Sequence, residues 1–239
     1  MLENSIYDKE QREVLSRAAY LMVDMSTLYN KNLTAEQMEI ILQALLKNID
    51  LSKYVFLEEY SAEQLEQILL GIENDIDVTK YISNKISANE MIQIRLGLMK
   101  GVNIMKYYPN STSMLYEIRL FLENDLDIDE YLNKDFSPDQ LHEIRLGLLH
   151  NVDVSLYSWY LYSAEHMEFI RKGLEKNIDM SSYLDPNLDI IFSEDIFNWR
   201  QGGYKKCWKS ISFGLLWGYY CSAYQAVQRQ PYITTPLAK

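Results

Sequence analysis

An all-α solenoid is the fold this sequence predicts: about seven two-helix repeats of roughly 26 residues over residues 1–186, then a divergent, aromatic-rich C-terminal cap over residues 187–239. Three observations predict it. A residue suited to cap a helix recurs at Asp8, Thr34, Ser61, Ser87, Ser111, Ser137 and Ser163, at spacings of 26, 27, 26, 24, 26 and 26. Apolar residues follow at the fifth, eighth and twelfth places of nearly every unit. Each unit then runs into an Asp between two apolar residues, with a Tyr close behind.

The first element of each unit is a helix of about 12 residues. Its start is marked by the cap and, in most units, by a Gln or Glu three places later: Asp8/Gln11, Thr34/Gln37, Ser61/Gln64, Ser87/Glu90 and Ser137/Gln140. That spacing is a capping box, which satisfies free amides at a helix start. Triplets such as Leu65/Ile68/Ile72, Met91/Ile94/Leu98 and Leu141/Ile144/Leu148 put one apolar stripe on one helical face. The eleventh place is Ala18, Ala44, Gly71, Gly97, Phe121, Gly147 and Gly173. A mid-helix Gly costs about 1 kcal/mol relative to Ala, so Gly97 and Gly147, each inside the sequence IRLGL, imply a neighbouring helix that comes close. Phe121 breaks this rule, and packing around it should differ.

The second element is expected to be a helix of about six residues, capped by the Asp of Ile49-Asp50-Leu51, Ile76-Asp77-Val78, Leu126-Asp127-Ile128, Val152-Asp153-Val154 and Ile178-Asp179-Met180. Asn103 and Leu28 are deviations. Tyr54, Tyr81, Tyr131, Tyr157 and Tyr183 are expected to be buried by its first turn. A unit this small cannot bury its stripe alone, so neighbours must stack. A degenerate eighth unit begins near Ser193, where Ile196 to Gly202 aligns with Met167 to Gly173.

The unit resembles a short helical repeat of uncharacterised proteins of gut Firmicutes and their mobile elements, with a consensus of the type F-S-x-x-Q-M-x-x-I-R-x-G-L-x-x-G-L-D-V-S-x-Y. The resemblance covers residues 8–186 and is close over Phe136 to Tyr157; residues 203–239 lie outside it. It implies an interaction solenoid and brings no catalytic residue with it.

Composition narrows the function. The chain carries 23 Lys and Arg against 34 Asp and Glu, a formal charge of −11. The imbalance disfavours direct nucleic-acid binding, because phosphates are gripped by cations. Residues 1–186 hold 31 acids and 17 bases (−14), whereas residues 187–239 hold 3 acids and 6 bases (+3), which places a boundary near Pro186. Cys207 and Cys221 are too few for a disulfide framework, and the start of the chain has no basic-then-apolar signal, so a reducing cytoplasm is expected. The uncharged run 210–228 approaches the ~20 residues of a membrane span, but its Ser, Gln, Gly and Tyr content reads as a buried or interface helix.

The Asp column is read as helix capping. Beside it, Glu123, Asp125 and Asp129 join Asp77, Asp127, Asp153 and Asp179 in an acidic surface expected to contact a basic protein partner. Trp159 and Tyr160, in the run Tyr157 to Tyr162, and Trp208 and Trp217 in the C-terminal segment are expected aromatic contacts. Arg95, Arg119, Arg145 and Arg171 follow the buried Ile of successive units and are expected to bridge to carboxylates of adjacent layers, as a row of guanidinium groups on one face. His142, His150 and His166 sit at different places of their units and share no face. No metal-ligand spacing, glycine-rich phosphate loop, cofactor site or catalytic set is read from the chain.

The sequence thus points to a protein-binding scaffold, of the kind a mobile element or phage encodes as an inhibitor that masks a basic, nucleic-acid-binding surface of a host or defence protein. The competing readings are an enzyme with a thiol site at Cys207 or Cys221 and a membrane-associated scaffold held by residues 210–228.

Overall fold

In the computed structural model, which describes residues 6–188, all regular structure among those residues is helical. The chain divides into two units, Met1–Pro186 and Asn187–Lys239, and the solenoid is the first of them. Its seven layers each carry one 12-residue α-helix: α1 (Lys9–Tyr20), α2 (Ala35–Leu46), α3 (Ala62–Glu73), α4 (Ala88–Met99), α5 (Thr112–Glu123), α7 (Pro138–Leu149) and α8 (Ala164–Glu175). α6 (Asp129–Leu132) is a single turn in the connection of the fifth layer. Each long helix packs on the next, in chain order.

The long helices start where a side-chain oxygen takes over a free amide. Asp8, Thr34, Ser61, Ser87, Ser111, Ser137 and Ser163 are all N-caps in extended backbone conformation, each accepting from the amide three residues on. Asp8, Thr34, Ser61, Ser87 and Ser137 complete reciprocal capping boxes with Gln11, Gln37, Gln64, Glu90 and Gln140. Each such cap contributes about 1 kcal/mol.

The helices end as uniformly as they begin. The residue after each C-cap has a left-handed backbone: Met22, Asn48, Asp75, Gly101, Asp125, Asn151 and Asn177, with φ between 54° and 79°. Asn, Asp and Gly tolerate that region best. The following amide then reaches back across the terminus, as Ile49 to Ala44, Ile76 to Gly71, Val102 to Gly97 and Val152 to Gly147 do at 2.9–3.1 Å. This is the Schellman pattern, which satisfies the last carbonyls and reverses the chain within two residues.

The connecting element is shorter than expected. In place of a helix of about six residues, one turn of 3₁₀-helix forms at Leu51–Lys53, Val78–Lys80, Ile104–Tyr107, Val154–Leu156 and Ser181–Tyr183, and α6 takes that place in the fifth layer. The Asp column caps these turns through a side-chain bond to the amide two residues on, at 2.9–3.2 Å from Asp50, Asp77, Asp127, Asp153 and Asp179. Asn103 does the same for Met105 at 3.0 Å. So short a reach closes an Asx turn, and a tight turn leaves no length for a second helix.

The core is the fifth, eighth and eleventh places of the units. Met91, Ile94, Leu115, Ile118, Phe121, Ile144, Met167 and Ile170 are 0% exposed, whereas the twelfth-place residues Ile72, Leu98, Leu122 and Leu148 are half-buried at the stripe's edge. Each fully buried Ile or Leu stabilises the stack by roughly 2 kcal/mol.

At Gly71, Gly147 and Gly173 the eleventh-place glycine makes room for a side chain of its own unit's connecting turn, whereas at Gly97 a Cβ would meet Val102 and, on the neighbouring helix, the Arg119 stem at 3.6 Å. A Cβ at Gly71 or Gly147 would overlap the hydroxyl of Tyr81 or Tyr157 from the same unit's connecting turn, and one at Gly173 would overlap the Met180 thioether. The Tyr81 hydroxyl donates to the Gln67 carbonyl at 3.0 Å and that of Tyr157 to the Glu143 carbonyl at 3.2 Å, both buried. Glycine therefore opens a slot through which the turn is pinned to its own helix. Where Phe121 fills the slot, Tyr131 packs its ring against that phenylalanine instead, with centroids 5.9 Å apart. With Ala44 at this place, Tyr54 stays 44% exposed.

Candidate functional site

Three surfaces and one internal ladder stand out among the described residues. The ladder runs between long helices. Arg145 Nε donates to Glu117 Oε2 at 2.9 Å and Arg171 Nε to Glu143 Oε2 at 2.7 Å, each reaching the preceding layer. Arg119 and Arg95 donate to Gln93 and Gln67 at the equivalent place, at 3.0 Å and 3.2 Å. Arg119, Arg145, Arg171, Glu117 and Glu143 are all under 9% exposed. They are interlayer clamps, set at one equivalent place of four successive layers, and all but Arg95 are enclosed between the helices. The aliphatic stem of an Arg covers apolar surface while its fork finds a planar acceptor.

A second clamp was missed from the sequence. The capping-box Gln uses its carbonyl within its own helix and donates its Nε2 onward to the residue just before the next cap. Gln11 reaches Leu33 O, Gln37 reaches Tyr60 O, Gln64 reaches Ile86 O and Gln140 reaches Tyr162 O, at 2.5–2.7 Å. His166 takes this role in the last layer, with Nε2 at 3.0 Å from Tyr183 O. The readable signal was Gln at four of the five capping boxes, since an amide, unlike an ionised carboxylate, both accepts and donates.

The acidic edge lies at the connecting turns. Asp77, Asp127, Asp153 and Asp179 are exposed, and each caps its turn through Oδ1. The Thr79 hydroxyl holds the Asp77 carboxyl below the usual carboxylate range, and the Ser181 hydroxyl does so for Asp179. Asp125 is the exposed left-handed residue that ends α5, Glu123 forms a partly buried ion pair with Arg119 at 2.6 Å, and Asp129 pairs with Lys106 at 3.1 Å. Bonds from Tyr107 and then Lys106 keep the Asp129 carboxyl low. Glu123 and Asp129 are therefore already engaged, while the Asp column faces water.

The aromatic surface is the loop between α7 and α8. Trp159 is 46% and Tyr160 56% exposed, with Leu161 beside them at 50%. Tyr162 anchors the loop: its ring meets Trp159 edge-on at 5.9 Å and its hydroxyl donates to Leu184 O at 2.6 Å. Trp208, Trp217, Cys207, Cys221, Arg200 and the run 210–228 lie outside the described residues.

The third surface is a concave groove of about 1080 Å³ across α1, α2 and α3. It is lined by the apolar Val14, Ala35, Ile40 and Ala62 and by Glu10, Glu36, Glu63 and Glu66 among its charged residues. Glu10, Glu36 and Glu63 occupy the same third place of successive units, a column visible in the sequence but overlooked beside the Asp column. The helix's own amides and the Thr34 hydroxyl lower the Glu36 carboxyl, and the Ser61 hydroxyl lowers that of Glu63, so both stay ionised.

Among the described residues no group of His, Cys, Asp and Glu is placed to hold a metal ion, and no helix is long and apolar enough to cross a membrane. His142 and His150 instead face Glu117 and Glu175, at 3.2 Å and 2.6 Å. Comparison of the chain with protein-family models, with curated proteins and with solved structures finds no match.

Proposed function

We propose that the chain is a protein-binding scaffold whose acidic surfaces cover a basic surface of another protein and so compete with nucleic acid for it, as an inhibitor encoded by a mobile element or phage would. The observation that carries this reading is the recurrence of exposed Asp77, Asp127, Asp153 and Asp179 at one fixed place in four of the last five layers, the layer between Asp77 and Asp127 having Asn103 there. A stack presents Asp127, Asp153 and Asp179 at intervals of about 10 Å, and Asp77 about 20 Å before them, and intervals near the Debye length at physiological salt let such charges add up against an extended cationic partner. Arg145 and Arg171 are enclosed and paired with Glu117 and Glu143, so neither adds its charge to the acidic edge.

The test is affinity capture from lysate at low and high salt, with the quadruple Asp77→Asn/Asp127→Asn/Asp153→Asn/Asp179→Asn variant beside the native chain. Asn keeps the turn cap and deletes the charge. A basic partner should be held at low salt, released as salt rises, and lost by the variant. A partner retained equally by both chains at high salt would refute the reading.

A further inference from the structure

We infer that the groove across α1, α2 and α3 is a seat for a cationic amphipathic helix of the partner. This rests on the reading of the chain as a binder of basic proteins, and it names the site and the form of the ligand. The groove joins an apolar lining to a surplus of carboxylates. Val14, Ala35, Ile40 and Ala62 give it an apolar floor, and small side chains at Ala35 and Ala62 let a ligand backbone lie close. The lining carries six carboxylates, Glu10, Glu13, Glu36, Glu39, Glu63 and Glu66, against three cations, Lys9, Arg12 and Arg17, a net charge of −3. Arg17 pairs with Glu39, Lys9 pairs with Glu13 at 3.8 Å, and Arg12 donates to Tyr7 O at 2.7 Å. Glu10, Glu36, Glu63 and Glu66 are the lining carboxylates outside these ion pairs.

A helix with an apolar stripe and flanking Lys or Arg matches this pattern, because one face buries against the floor while its cations meet the walls. Two interhelical steps of about 10 Å make a groove about 20 Å long, which roughly four helical turns of ~5.4 Å fill. A flat basic surface or an extended strand would leave the floor wet. The groove thus selects for helical shape as well as charge.

The experiment uses the full chain and a fluorescent, roughly 18-residue Leu/Lys peptide of amphipathic helical pattern, with a shuffled Leu/Lys peptide and a Leu/Glu peptide as controls. Binding is read by anisotropy and located by methyl NMR. The amphipathic cation should bind best, shift the Ile40 and Val14 methyls and leave Ile104 unmoved. Glu36→Gln/Glu63→Gln/Glu66→Gln should weaken binding about tenfold, and the quadruple Asp→Asn edge variant should not. Equal binding of the shuffled peptide, or unshifted Ile40, overturns the inference. Loss of binding in the edge variant alone would do the same while leaving the proposed function standing.

Discussion

Gly147 and Tyr157 share one volume: the tyrosine hydroxyl sits where a side chain on residue 147 would begin, and from there it donates to the Glu143 carbonyl at 3.2 Å. Ala is worth about 1 kcal/mol more than Gly by helix propensity. Gly147→Ala should nonetheless destabilise the fold, by about 1–3 kcal/mol, because the Tyr ring must move and its buried hydrogen bond is lost. Adding Tyr157→Phe should recover part of that loss. Urea denaturation of the two single variants and the double variant measures the coupling; additive effects would show that the slot is not shared.

Glu143 accepts from Arg171, and both are nearly enclosed. Glu143→Ala leaves a buried guanidinium without this partner and should cost about 3 kcal/mol. Glu143→Gln should cost far less, since Gln67 and Gln93 accept from Arg95 and Arg119 at the same place in earlier layers. Equilibrium unfolding of the two variants checks the order.

Gln64→Glu keeps the capping box, as Glu90 does in α4, but removes the donor that reaches Ile86 O at 2.7 Å. The loss should be about 1–3 kcal/mol, the cost of a buried carbonyl left unpaired. Hydrogen exchange should quicken at the start of α4 more than within α3 itself. Uniform quickening along both helices would argue against an interlayer role.

High pH should unfold the stack cooperatively. Burial raises the Tyr81 hydroxyl from 10.0 to about 12 and raises that of Tyr157 as well. The folded state therefore holds these protons longer than the unfolded chain does, so the stability they confer is intact below about pH 10 and is lost as pH climbs toward the folded value. For Tyr81 the full effect is on the order of 3 kcal/mol. Circular dichroism against pH should show steeper alkaline loss for the native chain than for Tyr81→Phe/Tyr157→Phe.

The seven helix starts and the buried stripe were readable before any coordinates, because they depend on residues three or four places apart. Thr34 caps through Gln37 and Ser61 through Gln64 whatever lies next door. The turn caps were readable for the same reason, although the elements they start proved shorter. The left-handed helix ends escaped notice because Asn48, Asp75, Asp125, Asn151 and Asn177 vary in identity while sharing one conformation.

What one unit's sequence determined, then, was the layer: its caps, its stripe and its period. What only the tertiary structure decided was how layers face one another. Arg171 meets Glu143 across 28 residues, and Gln64 meets Ile86 across 22. Those separations follow from the angle and offset of stacking, which local hydrogen bonds do not specify. The groove likewise exists because three helices stack side by side, and no periodicity within a single helix encodes a surface that three helices share.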